Sequence, residues 1–343
     1  MAPNVAAGPD WGAVAAQLAK TGRHLDLASH PSRLAGGLAN RNFRVVLDGA
    51  PAVFRCPPVG KLAHGASDMA REAKVLGALH PHFPLAPALL HACLDSRVIG
   101  VPFLLLEWRP GVAIGAELPP AHAASAPLWM PEVIAGTMAA LHQLEPGAIG
   151  LGDLGRQTGF AERHLRGWIR RAEAAFGDER PSALDALIVR LSETCPADAP
   201  VRLLHMDLKF DNLLLDLAGE HATALIDWDM ATLGPPAFDM AVLLSYWIEP
   251  GDPEAVQTLQ AVPSLQPGWP DREAMLACIT SAAGAVPPDV PWYLALARLR
   301  LATAWMQLYR LWQRGALEGD RYDEFASLAD AILTHARDRF GDI

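Results

Sequence analysis

The reading starts from His205-Met206-Asp207-Leu208-Lys209-Phe210-Asp211-Asn212-Leu213-Leu214-Leu215. A polar set at the spacing H-x-D-x-x-x-x-N is flanked by the apolar runs Val201–Leu204 and Leu213–Leu215. Fifteen residues after Asn212 comes Leu225-Ile226-Asp227-Trp228-Asp229, where Ala224–Ile226 forms a third short apolar run. Runs of this length bounded by polar turns read as short strands. The carboxylates then emerge at strand ends and can converge across a hairpin.

Phosphoryl transfer from a nucleoside triphosphate needs four things. They are a carboxylate for the incoming hydroxyl, oxygen ligands for Mg2+, a cation on the non-transferred phosphates, and a cover against water. Asp207 fits the first role, and Asn212 and Asp227 fit the second, because hard oxygen ligands suit Mg2+. Lys209 stands two residues past the carboxylate, placed to neutralise charge on the moving group. His205 reads as a residue that holds the loop. Asp229 reads as a further carboxylate near the metal or as a helix N-terminal charge. Asp239 reads as a helix cap or as a tie for the catalytic loop. Spaced matches of this kind also arise by chance in acidic surface loops, so the flanking strand pattern and Asp227 carry much of the weight.

Outward on the N-terminal side, Phe43, Val45 and Leu47 alternate, Asp48-Gly49 marks a two-residue turn, and Val53 and Phe54 follow, which reads as a hairpin. Residues 67–79 read as a helix capped by Ser67, with Met69, Glu72, Leu76 and Leu79 on one face. Glu72 therefore lies in an apolar stripe and needs a partner. Arg55, at the end of the second hairpin strand, is the expected one; the pair would aim a guanidinium at the α and β phosphates, or be a plain structural ion pair. Lys61 is a rival phosphate contact. Gly36-Gly37 with Asn40 and Asn42 reads as a phosphate cover or a simple turn. Leu106-Glu107-Trp108-Arg109 is where a hinge would meet an adenine ring. Strands are expected at Ala88–Cys93 and Val101–Glu107, and helices at Val133–Leu144, Phe160–Phe176, Leu184–Glu193, Phe238–Ile248, 292–313 and 321–336; residues 1–30 read as weakly structured or as one short helix around Trp11–Ala19.

These elements give an α+β chain: a small β-rich lobe over 1–109, expected to bind nucleotide, and a larger mostly helical lobe over 110–343, expected to carry catalysis and the acceptor. Composition agrees. The 343 residues are 51% hydrophobic, enough for a sizeable core. With 28 Lys and Arg against 38 Asp and Glu, the net charge of -10 argues against a broad nucleic-acid face. Cys56, Cys93, Cys195 and Cys278 stand far apart without a CxxC, which points to reduced thiols and no zinc cluster. The segment Met1–Asp10 has no signal-peptide pattern, and the longest apolar stretch, Val98–Leu106, is too short to span a bilayer. A cytoplasmic protein with no membrane or nucleic-acid partner is expected; its protein partners are left open.

The chain resembles the aminoglycoside phosphotransferase family, which has a protein-kinase-like bilobal fold. It is similar in particular to the kinase-like domain fused to acyl-CoA dehydrogenases and to that domain's stand-alone bacterial relatives. The resemblance rests on Gly36–Asn40, Phe54–Pro58, Glu72, Val98–Phe103 with Glu107, Gly150–Arg156, Trp168, His205–Asn212 and Asp227–Asp239. It implies an ATP- and Mg2+-dependent transfer to a small-molecule hydroxyl, with Asp207 as base, Asn212 and Asp227 as metal ligands, and Arg55 as a normal residue of the subgroup. It implies a hydroxyacyl compound or an aminoglycoside-like acceptor. Two departures stand out: Met206 where the family usually has Gly, and Gly234-Pro235-Pro236 where it has Gly-Asp-Pro. They keep open the alternative of a nucleotide-binding module without transfer activity.

Overall fold

Alternation in Arg41–Leu47 (β2, after a short strand β1 at Ser32–Arg33) buries Phe43, Val45 and Leu47 and leaves their neighbours outward. The computed structural model describes residues 8–34, 40–58, 68–178, 180–258, 261–285, 287, 289–317, 319 and 322–342. Asp48 and Gly49 both take positive φ (52° and 82°), the geometry of the tight turn that matches strand twist, and the chain returns as β3, Ala50–Cys56. With β4 (Leu89–Cys93) and β5 (Phe103–Glu107) these strands form an antiparallel sheet in the order β1-β2-β3-β5-β4. Helix α1, Trp11–Ala19, starts at Asp10, whose carboxylate accepts from Ala13 N, and buries Val14 and Leu18 in the core of that sheet. Trp11 meets Phe43 and Phe54 edge-on at 5.2 and 4.9 Å.

Helix α2 runs Met69–Leu79 and is capped by Asp68, which accepts from Arg71 N, in place of the expected Ser67, which lies outside the described residues. Contacts group this first unit as residues 1–110 together with Ala224–Ala231. By sequence position 224–231 belongs to the span 110–343.

The second unit comprises Gly111–Thr223 and Thr232–Ile343. Its described helices are α3 (Ala126–Gln143), α4 (Phe160–Phe176), α5 (Ser182–Glu193), α6 (Pro236–Ser245), α7 (Glu254–Gln257), α8 (Arg272–Ala283), α9 (Val290–Gln313) and α10 (Phe325–Asp338). The long α9 lies at the centre of the unit and packs on α4, α5, α6 and α10. Strand β6, Arg202–Leu204, pairs antiparallel with β9, Thr232–Gly234, while β7, Leu213–Asp216, pairs with β8, His221–Leu225. No described helix is long and apolar enough to cross a membrane.

Gly234 closes β9 where no side chain fits. A Cβ there would strike the Phe160 ring and stand 2.7 Å from Leu204 Cδ1. Gly234→Ala is expected to cost about 1–3 kcal/mol, the usual scale of core overpacking, read as a lower denaturation midpoint at unchanged slope. A midpoint equal to wild type would show that β9 yields freely.

Candidate active site

In the second unit, buried Leu203 and Leu204 of β6 deliver the chain into the loop that begins at His205. Asp239, in the first turn of α6 and fully buried, accepts from His205 N through Oδ2 (2.9 Å) and from Met206 N through Oδ1 (2.8 Å). Of its two sequence readings, tying the loop is the one realised, and Pro235 stands at the helix cap with no side-chain bond. His142, on the last turn of α3, contacts Asp239 Oδ2 from behind at 3.0 Å.

Met206 holds φ at 74°, a left-handed conformation that costs a non-glycine residue about 1–2 kcal/mol. The turn lets Asp207 N donate to His205 Nδ1 at 3.3 Å, which gives the buried imidazole its holding role. Arg300 of α9 donates Nη1 to Met206 O at 2.7 Å. Asn212 closes the loop: its Nδ2 donates to Asp207 O (2.7 Å) and to Asp207 Oδ2 (3.0 Å). Both amide hydrogens are thus spent inside the loop. Its Oδ1 has no protein donor among the described residues and suits a hard cation.

Lys209 Nζ sits 2.8 Å from Asp207 Oδ2 and 2.9 Å from Asp211 Oδ1, with the Tyr246 ring 5.4 Å away. Burial pushes the Asp207 carboxyl up, but Lys209 and Arg300 outweigh it and hold the group below the ordinary carboxylate range. For Lys209, burial favours the neutral amine, and Asp207, Tyr246 and Asp211 overcome it, so the ammonium is held charged well above its ordinary range. Burial raises Asp211 and takes the Tyr246 phenol up to about 12. The loop therefore presents an ionised carboxylate beside a fixed cation.

The first unit gathers a separate cluster. Asn42 and Arg55 are cross-strand partners on β2 and β3, and Arg55 Nη1 donates to Asn42 Oδ1 at 3.3 Å. Arg55 Nε donates to Glu72 Oε2 at 2.7 Å, so the carboxylate in the helical stripe has the partner its position demands. Nη2 hydrogen-bonds Asp227 Oδ1 and lies 3.7 Å from Asp229 Oδ2. Burial opposes the charge on Arg55, but Glu72, Asp227 and Asp229 outweigh it. Burial raises the Glu72 carboxyl against the pull of Arg55. It also raises Asp229, with repulsion from Asp227, to about 7. Asn40 Nδ2 donates to Asp229 Oδ2 at 2.9 Å. Asp227 itself has φ 69° and leaves Oδ2 without a protein partner among the described residues. Buried Trp228 anchors this stretch by donating Nε1 to Leu225 O, and Arg71 donates Nη1 to Ala231 O.

Glu107 ends β5, and its carboxylate accepts from Ala88 N and pairs with Arg109 Nε, both at 2.9 Å. Its side chain is thus committed within the sheet, and its backbone N–H also donates to Ala88 O at 2.9 Å. Gly36, Gly37 and Lys61 lie outside the described residues. Sequence reasoning overlooked Asp211, Tyr246, His142 and Arg300. Of these only Asp211 carried a local signal, as a third charge in the quoted stretch.

A model of the phosphotransferase enzyme family matches residues 30–276. Among curated proteins, the chain is 28% identical over 323 residues to "Probable acyl-CoA dehydrogenase IBR3" of Arabidopsis thaliana, covering 89% of this chain and 39% of that protein. It is 27% identical to "Acyl-CoA dehydrogenase family member 11" of Mus musculus, covering 81% and 36%. The chain thus spans well under half the length of these relatives. Among solved structures, a putative aminoglycoside phosphotransferase from Ralstonia eutropha superposes with a TM-score of 0.78 at 23% identity, covering 96% of this chain and 98% of that one. Macrolide 2'-phosphotransferase MphH from Brachybacterium faecium gives 0.58 at 19% identity, covering 94% and 97%. These matches show a shared α+β fold with an N-terminal sheet unit and a larger helical unit.

Proposed function

Because the chain belongs to the phosphotransferase enzyme family, we propose that it moves the γ-phosphoryl group of ATP, with Mg2+, to a hydroxyl of a small molecule. The observation that carries this is the loop of the second unit, where Asp207 is ionised, fixed through Asn212 and held beside Lys209. Asp207 accepts the acceptor's hydroxyl proton and orients its oxygen for in-line attack. Lys209 offsets charge on the moving group. When bound, Mg2+ would neutralise charge on the phosphates. The proposed ligands are Asn212 through Oδ1 and Asp227 through Oδ2, each an oxygen with no protein donor among the described residues. A small number of protein oxygens is the donor set that suits Mg2+.

On the first unit, Arg55 is the proposed contact to the non-transferred phosphates, with Glu72 fixing its fork and Asn40 and Asp229 bracing the strand end. Gly36, Gly37 and the backbone at Glu107 complete the proposed nucleotide contacts. The reading makes residues 1–109 the nucleotide lobe and 110–343 the catalytic and acceptor lobe. Four free cysteines fit a cytoplasmic setting.

For the acceptor, the dehydrogenase names of the relatives put hydroxyacyl compounds first. Two cations beside Asp207, Lys209 and Arg300, disfavour a polycationic aminoglycoside. Met206 and Pro235 favour the alternative of binding without transfer; the loop nevertheless keeps both backbone ties to Asp239. Calorimetric titration with ATP, with and without Mg2+, is expected to give saturable, metal-dependent binding. Absence of binding by the folded protein would remove the phosphotransferase reading.

A further inference from the structure

The loop from His205 to Asn212 is held on two sides. Asp239 accepts from the N–H groups of His205 and Met206. The opposite face, the carbonyl of Met206, accepts from Arg300, ninety-four residues further along the chain. That carbonyl belongs to the peptide whose nitrogen is Asp207 N, so its orientation sets the direction in which the Asp207 side chain leaves the backbone. Met206 is also the residue at positive φ, a backbone state that persists in a methionine only when its surroundings enforce it. Helix α9, from which Arg300 reaches, packs directly against α6, which carries Asp239. Both anchors of the loop thus sit on one rigid helix pair.

We propose that Arg300 is a positioning residue for Asp207: its guanidinium clamps the Met206 carbonyl and so maintains the left-handed turn that aims the Asp207 carboxylate. The inference rests on the phosphotransferase reading for its catalytic consequence, but the clamp itself is testable without it. Arginine suits the task because its fork is planar and permanently charged. A lysine offers a single point of donation on a shorter, more mobile stem.

The test compares wild type with Arg300→Met, Arg300→Lys and Arg300→Met in a Met206→Gly background. Two quantities are read: amide hydrogen exchange of the peptide containing residues 205–212, and Mg2+-ATP turnover with water as acceptor. Arg300→Met is expected to speed exchange in that peptide while the rest of the second unit keeps its protection. It is expected to lower kcat by roughly 10-fold or more, as small misplacements of a reacting group do, with KM for ATP unchanged. Arg300→Lys should fall between the two. Glycine adopts positive φ without a clamp, so the Met206→Gly background should shrink the loss on both readouts.

Unchanged exchange in Arg300→Met overturns the clamp. Faster exchange with unchanged kcat overturns the positioning role, as does a loss of the same size in the glycine background. A raised KM for ATP instead would make Arg300 a nucleotide contact and also overturn it. Should wild type bind no Mg2+-ATP by calorimetry, the phosphotransferase reading fails, and the exchange data alone decide the clamp.

Discussion

Asp207→Ala is expected to cut turnover by at least roughly 10²-fold, the lower scale for losing acid–base assistance, while the fold and much of the ATP affinity survive. Survival follows from what the substitution spares. The backbone of residue 207 still donates to His205 Nδ1 and still accepts from Asn212 Nδ2. Lys209 keeps Asp211 at 2.9 Å, and Asp239 still holds the two preceding N–H groups. Only the ionised carboxylate is removed, so the loss should fall on kcat and leave nucleotide binding, measured by calorimetry, close to wild type. Near-normal turnover would sink the assignment of Asp207.

The same variant has a signed pH signature. The Asp207 carboxyl is held below its ordinary value in the folded protein, once Lys209 and Arg300 have outweighed burial. A depressed carboxylate contributes stability above its unfolded value, near the ordinary 3.8, and loses it as pH falls through the folded value. Any stability advantage of wild type over Asp207→Ala should therefore be full at neutral pH and close below about pH 4. A gap that widens in acid would contradict the environment described for the carboxylate. The test is thermal melting of both proteins across that range.

What could be read from sequence follows from how local each signal is. The loop was legible because apolar runs bracket a polar spacing, and Glu72 announced a partner because a carboxylate in an apolar stripe is costly alone. The hairpin at Asp48-Gly49 and the helix at Phe160–Phe176 were legible for the same reason: turn chemistry and period act within a few residues. Helix α8 was missed although Asp271 caps it and Gly284 ends it at φ 82°. Its interior is mostly small residues, and only Arg272, Met275 and Ile279 are buried, which leaves a weak stripe. Helix α3 begins at Ala126 rather than Val133, because Pro131 sits inside it, where proline normally argues for a break.

Partners set by the chain's return from far away were not legible. Arg300 and His142 reach the loop and its anchor from 94 and 97 residues away. The left-handed turn at Met206 has no local signal, because a methionine side chain does not favour positive φ. Strand β9 is too short to show a period, and Ala224–Ala231 joins the first unit through Trp228 and the contacts of Asp227 and Asp229, none of which is local.

The largest structural penalty should come from Arg55→Ala. The guanidinium is almost wholly buried and faces Glu72, Asp227 and Asp229, so its removal takes away the cation that these three carboxylates share among the described residues. Breaking a buried pair by deleting one partner costs about 3–5 kcal/mol, because the surviving charge is stranded. Deleting Glu72 instead should cost less, since in Glu72→Gln the guanidinium keeps Asp227 and Asn42. The pH direction separates stranded charge from lost packing. Burial already raises the Glu72 carboxyl, and only Arg55 pulls strongly against it. Without Arg55 the folded value rises further above the unfolded one. A raised carboxyl contributes stability that is present below its unfolded value and lost as pH climbs through the folded value. The penalty of Arg55→Ala should therefore be small in mild acid and grow toward neutral pH, where the carboxylates must ionise together or stay protonated at a cost. Arg55→Lys restores one charge and one direction of donation, so it should recover part of the stability. Its single ammonium cannot serve Glu72 and Asp227 through separate fixed nitrogens as the fork does. Denaturant melts of the three variants at two pH values decide the matter: a penalty independent of pH would mean that Arg55 acts by filling space, not by holding three carboxylates together.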